Sequence, residues 1–268
     1  MTDDLLFWAI AVPLGIGAFF YLVSPALIRL ATAQNAEAGP VAFDPDKTPP
    51  PQPVAEFWDD VEADLAPLGF ARETHVAVHG LVPNVSILVA IFGNRTTDTA
   101  FLATFAYASG QGGGFTETQR AFELSNEYES SDSEDGVLEV GVVNSGDSAT
   151  FPRDPTKCRK LLCEWIDDPA TLVRIQKAIA SEWGTGRLRP LPDPEDWEAT
   201  ARADMQREFA DYHDGGHFER VKNGKRLMTW TGAYRATWKL LPPIKQIIKA
   251  RRAARARNLL DTWGIEAP

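Results

Sequence analysis

The sequence predicts an α+β fold, in which an antiparallel β-sheet of five to seven strands carries packing helices and follows one N-terminal transmembrane helix. Residues 5–28 hold 24 consecutive positions without a charged side chain. Between residues 75 and 143, short runs rich in β-branched and aromatic residues alternate with turn signals. The spacers between these runs are too short for crossover helices, so antiparallel pairing is expected.

The uncharged N-terminal segment is predicted to span a bilayer as residues 5–30. Twenty-four helical residues measure about 36 Å, against about 30 Å for the hydrocarbon core of a bilayer. Trp8 and Tyr21 lie toward its ends, as interfacial aromatic residues do. One alternative is a cleaved signal peptide, with a small-x-small site at residues 31–33, but the acidic leading residues and the long apolar run count against it. The other alternative, a buried core helix, lacks the polar face that it would need.

The charges are segregated along the chain. The formal net charge is -10, which argues against a nucleic-acid-binding protein. Residues 233–268 nevertheless carry eight Lys and Arg against two acids, a net charge of +6, and the preceding residues carry -16. No Lys or Arg precedes the apolar segment, and Arg29 follows it directly. The positive-inside rule therefore predicts an outside N-terminus and a cytoplasmic C-terminal domain.

Residues 31–53 contain six prolines and almost no apolar periodicity. This composition predicts an extended, semi-rigid linker between the membrane and the domain. A proline-rich ligand for an SH3-type groove is the alternative use of residues 49–53.

The soluble α+β domain is predicted to cover residues 54–232. Amphipathic periodicity places helices at residues 54–68, 169–183 and 194–212. The expected strands are residues 75–78, 85–92, 100–108, 115–128, 137–143 and 158–165. Asn223-Gly224 between two apolar runs predicts a type I′ hairpin turn.

Residues that could hold a metal are few. His213, Asp214 and His217 share a glycine-containing loop that could fold both imidazoles and the carboxylate toward one point, but no third strong ligand is near in sequence. A solvated turn is the alternative. Cys158 and Cys163 form neither a disulfide framework nor a zinc site. No metal or other cofactor is therefore expected.

Three further patterns carry weaker signals. Residues 110–114 are rich in glycine but lack the lysine and the following helix of a phosphate-binding loop, so a mobile hairpin loop is predicted. The acidic residues within 127–136 miss the spacing of a calcium-binding EF-hand and indicate a solvated turn. His75 and His79 lie about 13 Å apart on one strand face, too far apart to chelate a metal together.

Residues 233–268 are predicted to form a basic interfacial C-terminal helix, interrupted at Pro242-Pro243. Aromatic side chains and Lys stems would enter the membrane interface while the charges reach anionic lipid headgroups. The expected contacts are Trp238, Lys239, Lys245, Lys249, Arg251, Arg252, Arg255 and Arg257. Docking of this tail on the protein's own acidic surface is the main alternative, ahead of nucleic acid or a calmodulin-like partner.

Together these features favour a membrane-anchored, non-enzymatic binding or interaction module on the cytoplasmic face. Its expected partners are the lipid bilayer, anionic lipid headgroups and an unidentified protein. No catalytic motif is visible in the sequence. The alternative is a small-ligand-binding domain or an enzyme whose site is assembled between sheet and helices.

Overall fold

A computed structural model of the chain describes residues 2–31, 33–81, 84–109, 115–146, 151 and 153–266. Its α-helices are α1 (Thr2–Ala31), α2 (Gln52–Leu65), α3 (Pro169–Trp183), α4 (Trp197–Asp214), α5 (Trp230–Leu240) and α6 (Ile244–Thr262). Its strands are β1 (Gln34–Asn35), β2 (Gly39–Ala42), β3 (Ala71–His79), β4 (Val85–Asn94), β5 (Thr99–Ser109), β6 (Phe115–Glu129), β7 (Val137–Val143), β8 (Cys158–Leu162) and β9 (Lys225–Arg226).

The protein has a mixed α+β fold with a seven-stranded sheet. The strands lie in the order β2-β3-β4-β5-β6-β7-β8, and every pair is antiparallel except β7 and β8, which are parallel. The prediction of a wholly antiparallel sheet was therefore wrong at this edge. The segment 144–157 before β8 is long enough to return the chain to the same end of the sheet, which a tight hairpin loop cannot do.

The main hydrophobic core lies between the sheet and the two helices α2 and α3. Phe57 of α2 approaches Phe105 and Phe122 of the sheet, with both ring centroids at 5.6 Å. The predicted helix 169–183 is confirmed as α3. It begins where the carboxylate of Asp168 accepts a hydrogen bond from the backbone N–H of Thr171 at 2.8 Å, because this cap satisfies an otherwise unpaired helical N–H.

The predicted linker contributes to the sheets. β2 pairs with β3 as an edge strand of the large sheet, and β1 pairs with β9. Arg202 of α4 donates a hydrogen bond to the carbonyl of Pro40, which ties β2 to the domain. An extended spacer is therefore not what residues 34–42 form. The sequence did not predict β1 and β2 because these strands are joined by backbone hydrogen bonds, which require no hydrophobic periodicity in the sequence.

The Asn223-Gly224 turn was predicted correctly, but not its surroundings. Both residues have positive φ, 52° and 70°, as a type I′ turn requires. The flanking runs form only the isolated bridges Phe218–Met228 and Lys222–Lys225, and β9 pairs with β1 instead of extending the hairpin.

The C-terminal region is two helices, and the predicted boundary after residue 232 falls inside the first of them, α5. In α6, Ala256 and Leu260 are buried in the main core, and Trp263 approaches Trp183 of α3 with ring centroids 6.0 Å apart. This half of the tail thus packs on its own domain. The apolar residues recur at helical spacing, but the intervening arginines obscured that pattern in the sequence.

The N-terminal helix α1 is long and apolar enough over Phe7–Ala31 to cross a membrane. Signal sequences and core helices of water-soluble proteins can pass the same test. Among the described residues it is the one helix that does so, and only 6% of its apolar window is buried against the rest of the protein.

Candidate functional site

Helix α5 packs against the C-terminal half of α1 in an antiparallel arrangement. Near one end, the ring of Tyr21 lies 4.9 Å from that of Trp238, and its hydroxyl donates to the carbonyl of Pro242 at 2.9 Å. Eight residues further along α1, the guanidinium of Arg29 lies 5.2 Å from the centre of the Trp230 ring. The paired stretches each span eight residues, or about 12 Å of helix.

Arg29 fixes this end of α1 through polar contacts. Its guanidinium donates to the carbonyl of Met228 at 2.8 Å and pairs with the carboxylate of Glu219 at 2.6 Å. Its side chain is only 18% exposed. The residue that the sequence places at the membrane boundary therefore also binds the soluble domain.

The two faces of α5 differ in chemistry. Trp230, Tyr234 and Trp238 recur every four residues and are 53%, 40% and 50% exposed. On the opposite face, Gly232 is buried so closely that an added Cβ would overlap the carbonyl oxygen of His217. The close backbone approach fixes the helix in one orientation, with its aromatic ladder exposed beside α1.

A cleft of about 740 Å³ lies along the edge strand β8, under α5 and α6. Such a volume is in the range of small-ligand sites. One part of its lining is apolar and consists of Phe151, Leu161, Leu162, Trp183, Ala256 and Leu259. The other part is basic and consists of Arg153, Arg159, Lys160, Lys239, Arg252 and Arg255. Glu123 and Glu208 are the acids among the described lining residues.

Two of the basic side chains are neutralised by a buried ionic network. Lys160 lies 2.7 Å from Glu139 and also pairs with Glu123, while Arg153 pairs with Glu139 at 2.9 Å and with Asp211 at 3.0 Å. Burial would raise the pKa of Glu139, but Lys160 and Arg153 outweigh it and hold that pKa well below its ordinary value. These two cations therefore serve the fold.

The other cations of the cleft have different surroundings. Arg159 donates to the carbonyls of Pro155 and Trp183, at 2.9 and 3.4 Å. No carboxylate of the described residues forms an ion pair with Arg159 or Arg255. Burial, together with the nearby charges of Arg252 and Arg235, lowers the pKa of Lys239 to about 8. Among the described lining residues, cations outnumber acids six to two, so the cleft favours an anion.

A second cleft of about 350 Å³ adjoins the first and shares Lys239 and Arg252 with it. Its lining also includes Lys245, Lys249 and Leu240. The two clefts together form a basic surface along α5 and α6, continuous with the exposed aromatic ladder.

The membrane-interface residues predicted from sequence lie in different environments. Trp8 is exposed on α1, whereas Tyr21 and Arg29 contact α5. Lys249 pairs with Glu164 at 3.1 Å, and Arg257 lies 4.7 Å from the centre of the Trp165 ring. These last two contacts are with the protein's own domain. Exposed positions are Trp238, Lys245, Arg251 and Arg255, while Lys239 and Arg252 are half-buried in the clefts.

His213, Asp214 and His217 lie where α4 ends. A ring nitrogen of His213 lies 3.1 Å from the carbonyl oxygen of Phe218, and Asp214 is exposed. The buried ring of His217 stacks on Phe151 with centroids 4.6 Å apart. Within the described part of the chain, no three His, Cys, Asp or Glu side chains are grouped closely enough to hold a metal ion.

The two cysteines and the glycine-rich loop are the other patterns that the sequence analysis singled out. Cys158 and Cys163 are both free and buried. Burial, helped by Glu139, raises the pKa of the Cys158 thiol to about 12, so this cleft residue is not a thiolate nucleophile near neutral pH. The glycine-rich loop 110–114 lies outside the described residues.

Sequence reasoning missed the cleft. Its walls come from β6, β8, the end of α3, α4, α5 and α6, and the outermost lining residues, Glu123 and Leu259, are 136 positions apart. The usable signal was the density of basic residues in 239–255 near apolar positions, which the prediction assigned mainly to the bilayer.

Comparisons with protein-family models, with curated proteins and with solved structures found no match to this chain.

Proposed function

We propose that the chain is a membrane-anchored binding module, held by α1 across the bilayer and by the exposed face of α5 in the membrane interface. The antiparallel packing of α5 on α1 carries this proposal. It places an exposed aromatic ladder directly beside a helix that is long and apolar enough to cross a membrane.

The lengths of the two helices agree with this arrangement. A hydrocarbon core of about 30 Å that starts at Leu5 ends about 20 residues later, near Pro25. This point lies between Tyr21 and Arg29, which are the residues that contact the two ends of the aromatic ladder. Helix α5 then lies across the boundary, where tryptophan and tyrosine side chains are most favourable.

The basic side chains support the same placement. Lys239 and Lys245 lie next to the ladder, and each basic residue near an anionic surface contributes about 1 kcal/mol of attraction. Together with Arg29 they support a cytoplasmic location of the domain by the positive-inside rule.

The test is a depth measurement on the full-length protein in vesicles. A W238C variant labelled with an environment-sensitive dye should show blue-shifted emission and quenching by nitroxide-labelled lipids. A D60C variant on the exposed side of α2 is the control, and its dye should show the emission that is typical of water. The buried native cysteines, with raised thiol pKa values, should not react. Equal, water-like emission from both positions would rule out an interfacial α5.

Sidedness needs a separate measurement. In sealed cells, D60C should react with a membrane-impermeant maleimide only after permeabilisation. Labelling in intact cells would reverse the proposed orientation without affecting the interfacial role of α5.

A further inference from the structure

We propose that the 740 Å³ cleft binds an anionic phospholipid, with its phosphate in the basic part of the cleft, which Arg159, Arg255 and Lys239 line, and an acyl chain along the apolar wall. The inference rests on the proposed membrane attachment, which supplies the ligand. It names a site and a ligand class for that attachment.

The lining selects for a ligand with two chemically different parts. The apolar wall, which includes Leu162, Trp183 and Leu259, favours a hydrocarbon chain that is taken out of water. The cations Arg159 and Arg255 have no carboxylate partner among the described residues, so a ligand anion would gain charge-assisted hydrogen bonds there. A neutral lipid would leave these charges uncompensated, and a small inorganic anion would leave the apolar wall in contact with water.

The position of the cleft favours the bilayer as the source of the ligand. Lys239, which lines both clefts, directly follows Trp238, and Trp238 packs on Tyr21 of α1. Tyr21 lies one helical turn, about 6 Å, from the bilayer boundary placed near Pro25. A lipid headgroup at that boundary would therefore be close to the basic part of the cleft. Its acyl chain could enter without crossing open water.

Electrostatics within the cleft agree with an anionic ligand. Lys160 and Arg153 are committed to the Glu139 network, and the acids Glu123 and Glu208 lie on the side of the cleft near β8 and α4. Burial and the nearby charges of Arg252 and Arg235 lower the pKa of Lys239. A phosphate close to Lys239 would favour its charged form.

The experiment uses the full-length protein in a non-ionic detergent, so that binding does not depend on a bilayer. Short-chain phosphatidic acid is titrated and compared with short-chain phosphatidylcholine, with a soluble alkyl carboxylate and with inorganic phosphate. We expect phosphatidic acid to bind at least tenfold more tightly than the other three ligands. Equal binding of phosphatidylcholine or of inorganic phosphate would overturn the proposal, and tighter binding of the alkyl carboxylate would assign the cleft to a soluble amphiphile instead.

Variants separate the cleft from general charge effects. K239Q/R255Q should weaken phosphatidic acid binding by tenfold or more, whereas R251Q, which removes an exposed arginine of α6 outside the clefts, should leave it unchanged. L162W fills the apolar wall without changing charge and should also weaken binding. The proposal fails if R251Q weakens binding as much as K239Q/R255Q, or if L162W binds like the parent protein.

The two proposals fail separately. If the dye at W238C reports a lipid environment while the detergent titration shows no preference for phosphatidic acid, the membrane attachment holds and the lipid site falls. If phosphatidic acid binds preferentially while the dye at W238C shows water-like emission, the lipid site holds and the membrane attachment of α5 falls.

Discussion

Replacing Glu139 by glutamine should destabilise the fold more than any other single carboxylate-to-amide change in the sheet region that the structure describes. Glu139 lies on β7 with its side chain only 19% exposed, and it accepts from Lys160 at 2.7 Å and from Arg153 at 2.9 Å. The glutamine keeps the shape of the side chain but removes the negative charge. Two largely buried cations then lose a shared counter-ion.

The magnitude follows from what remains in the network. Removing one partner of a buried ion pair typically costs about 3–5 kcal/mol, because the other charge is left uncompensated. Here Lys160 keeps Glu123 and Arg153 keeps Asp211, so the lower end is expected, about 3 kcal/mol. The measurement is the free energy of unfolding of the full chain in detergent, from urea titration followed by circular dichroism.

Glu129 of the neighbouring strand provides a matched control. Its side chain is 57% exposed and its nearest cation, Arg187, is 3.9 Å away. E129Q should therefore change the free energy of unfolding by less than about 0.5 kcal/mol. If E139Q is no more destabilising than E129Q, the network does not stabilise the fold as described.

Four further predictions follow from the structure. In acid, the parent should lose stability as the pH falls from about 4.5 to about 2, because folding lowers the pKa of Glu139 and its contribution, complete above the unfolded value, is lost by the folded one. E139Q should lose less over the same range. L260A should cost about 2–5 kcal/mol, because this side chain of α6 is buried in the main core. D168A should cost about 1 kcal/mol through loss of the cap of α3, measured by urea titration. G232A should push α5 away from His217 and lower the thermal unfolding midpoint by several degrees.

Two controls make the same kind of substitution at open positions of other helices. L240A removes a side chain of α5 that is 44% exposed and should change stability by less than about 0.5 kcal/mol. G17A adds a methyl group where nothing lies within 4 Å and should leave the midpoint unchanged. An L260A variant as stable as L240A would mean that α6 does not pack in the core. A G232A variant as stable as G17A would contradict the close approach of α5.

Local signals predicted local structure well. Asp168 before Pro169 set the start of α3 because capping and a fixed proline φ depend on neighbouring residues only. The positive φ values of Asn223 and Gly224 likewise follow from the preferences of the two residues themselves. The length and lack of charge of residues 5–28 identified α1 as a possible span for the same reason.

Structure that depends on distant partners was missed. β2 forms because the backbone groups at the edge of β3 are available for pairing. Residues 39–42 themselves contain no pattern that predicts this pairing. The parallel pairing of β8 depends on where the preceding segment returns the chain. The cleft is assembled from six helices and strands, so no single stretch of sequence contained its pattern of apolar and basic residues.

The bond between Tyr21 and Pro242 joins residues 221 positions apart. At a synthesis rate of about 5–20 residues per second, α1 leaves the ribosome roughly 10–45 s before its partner helix exists. Whatever inserts α1 must therefore work on that helix alone. Contacts so distant in sequence also form late in folding. The domain can therefore be fixed against α1 only after residue 242 has been synthesised.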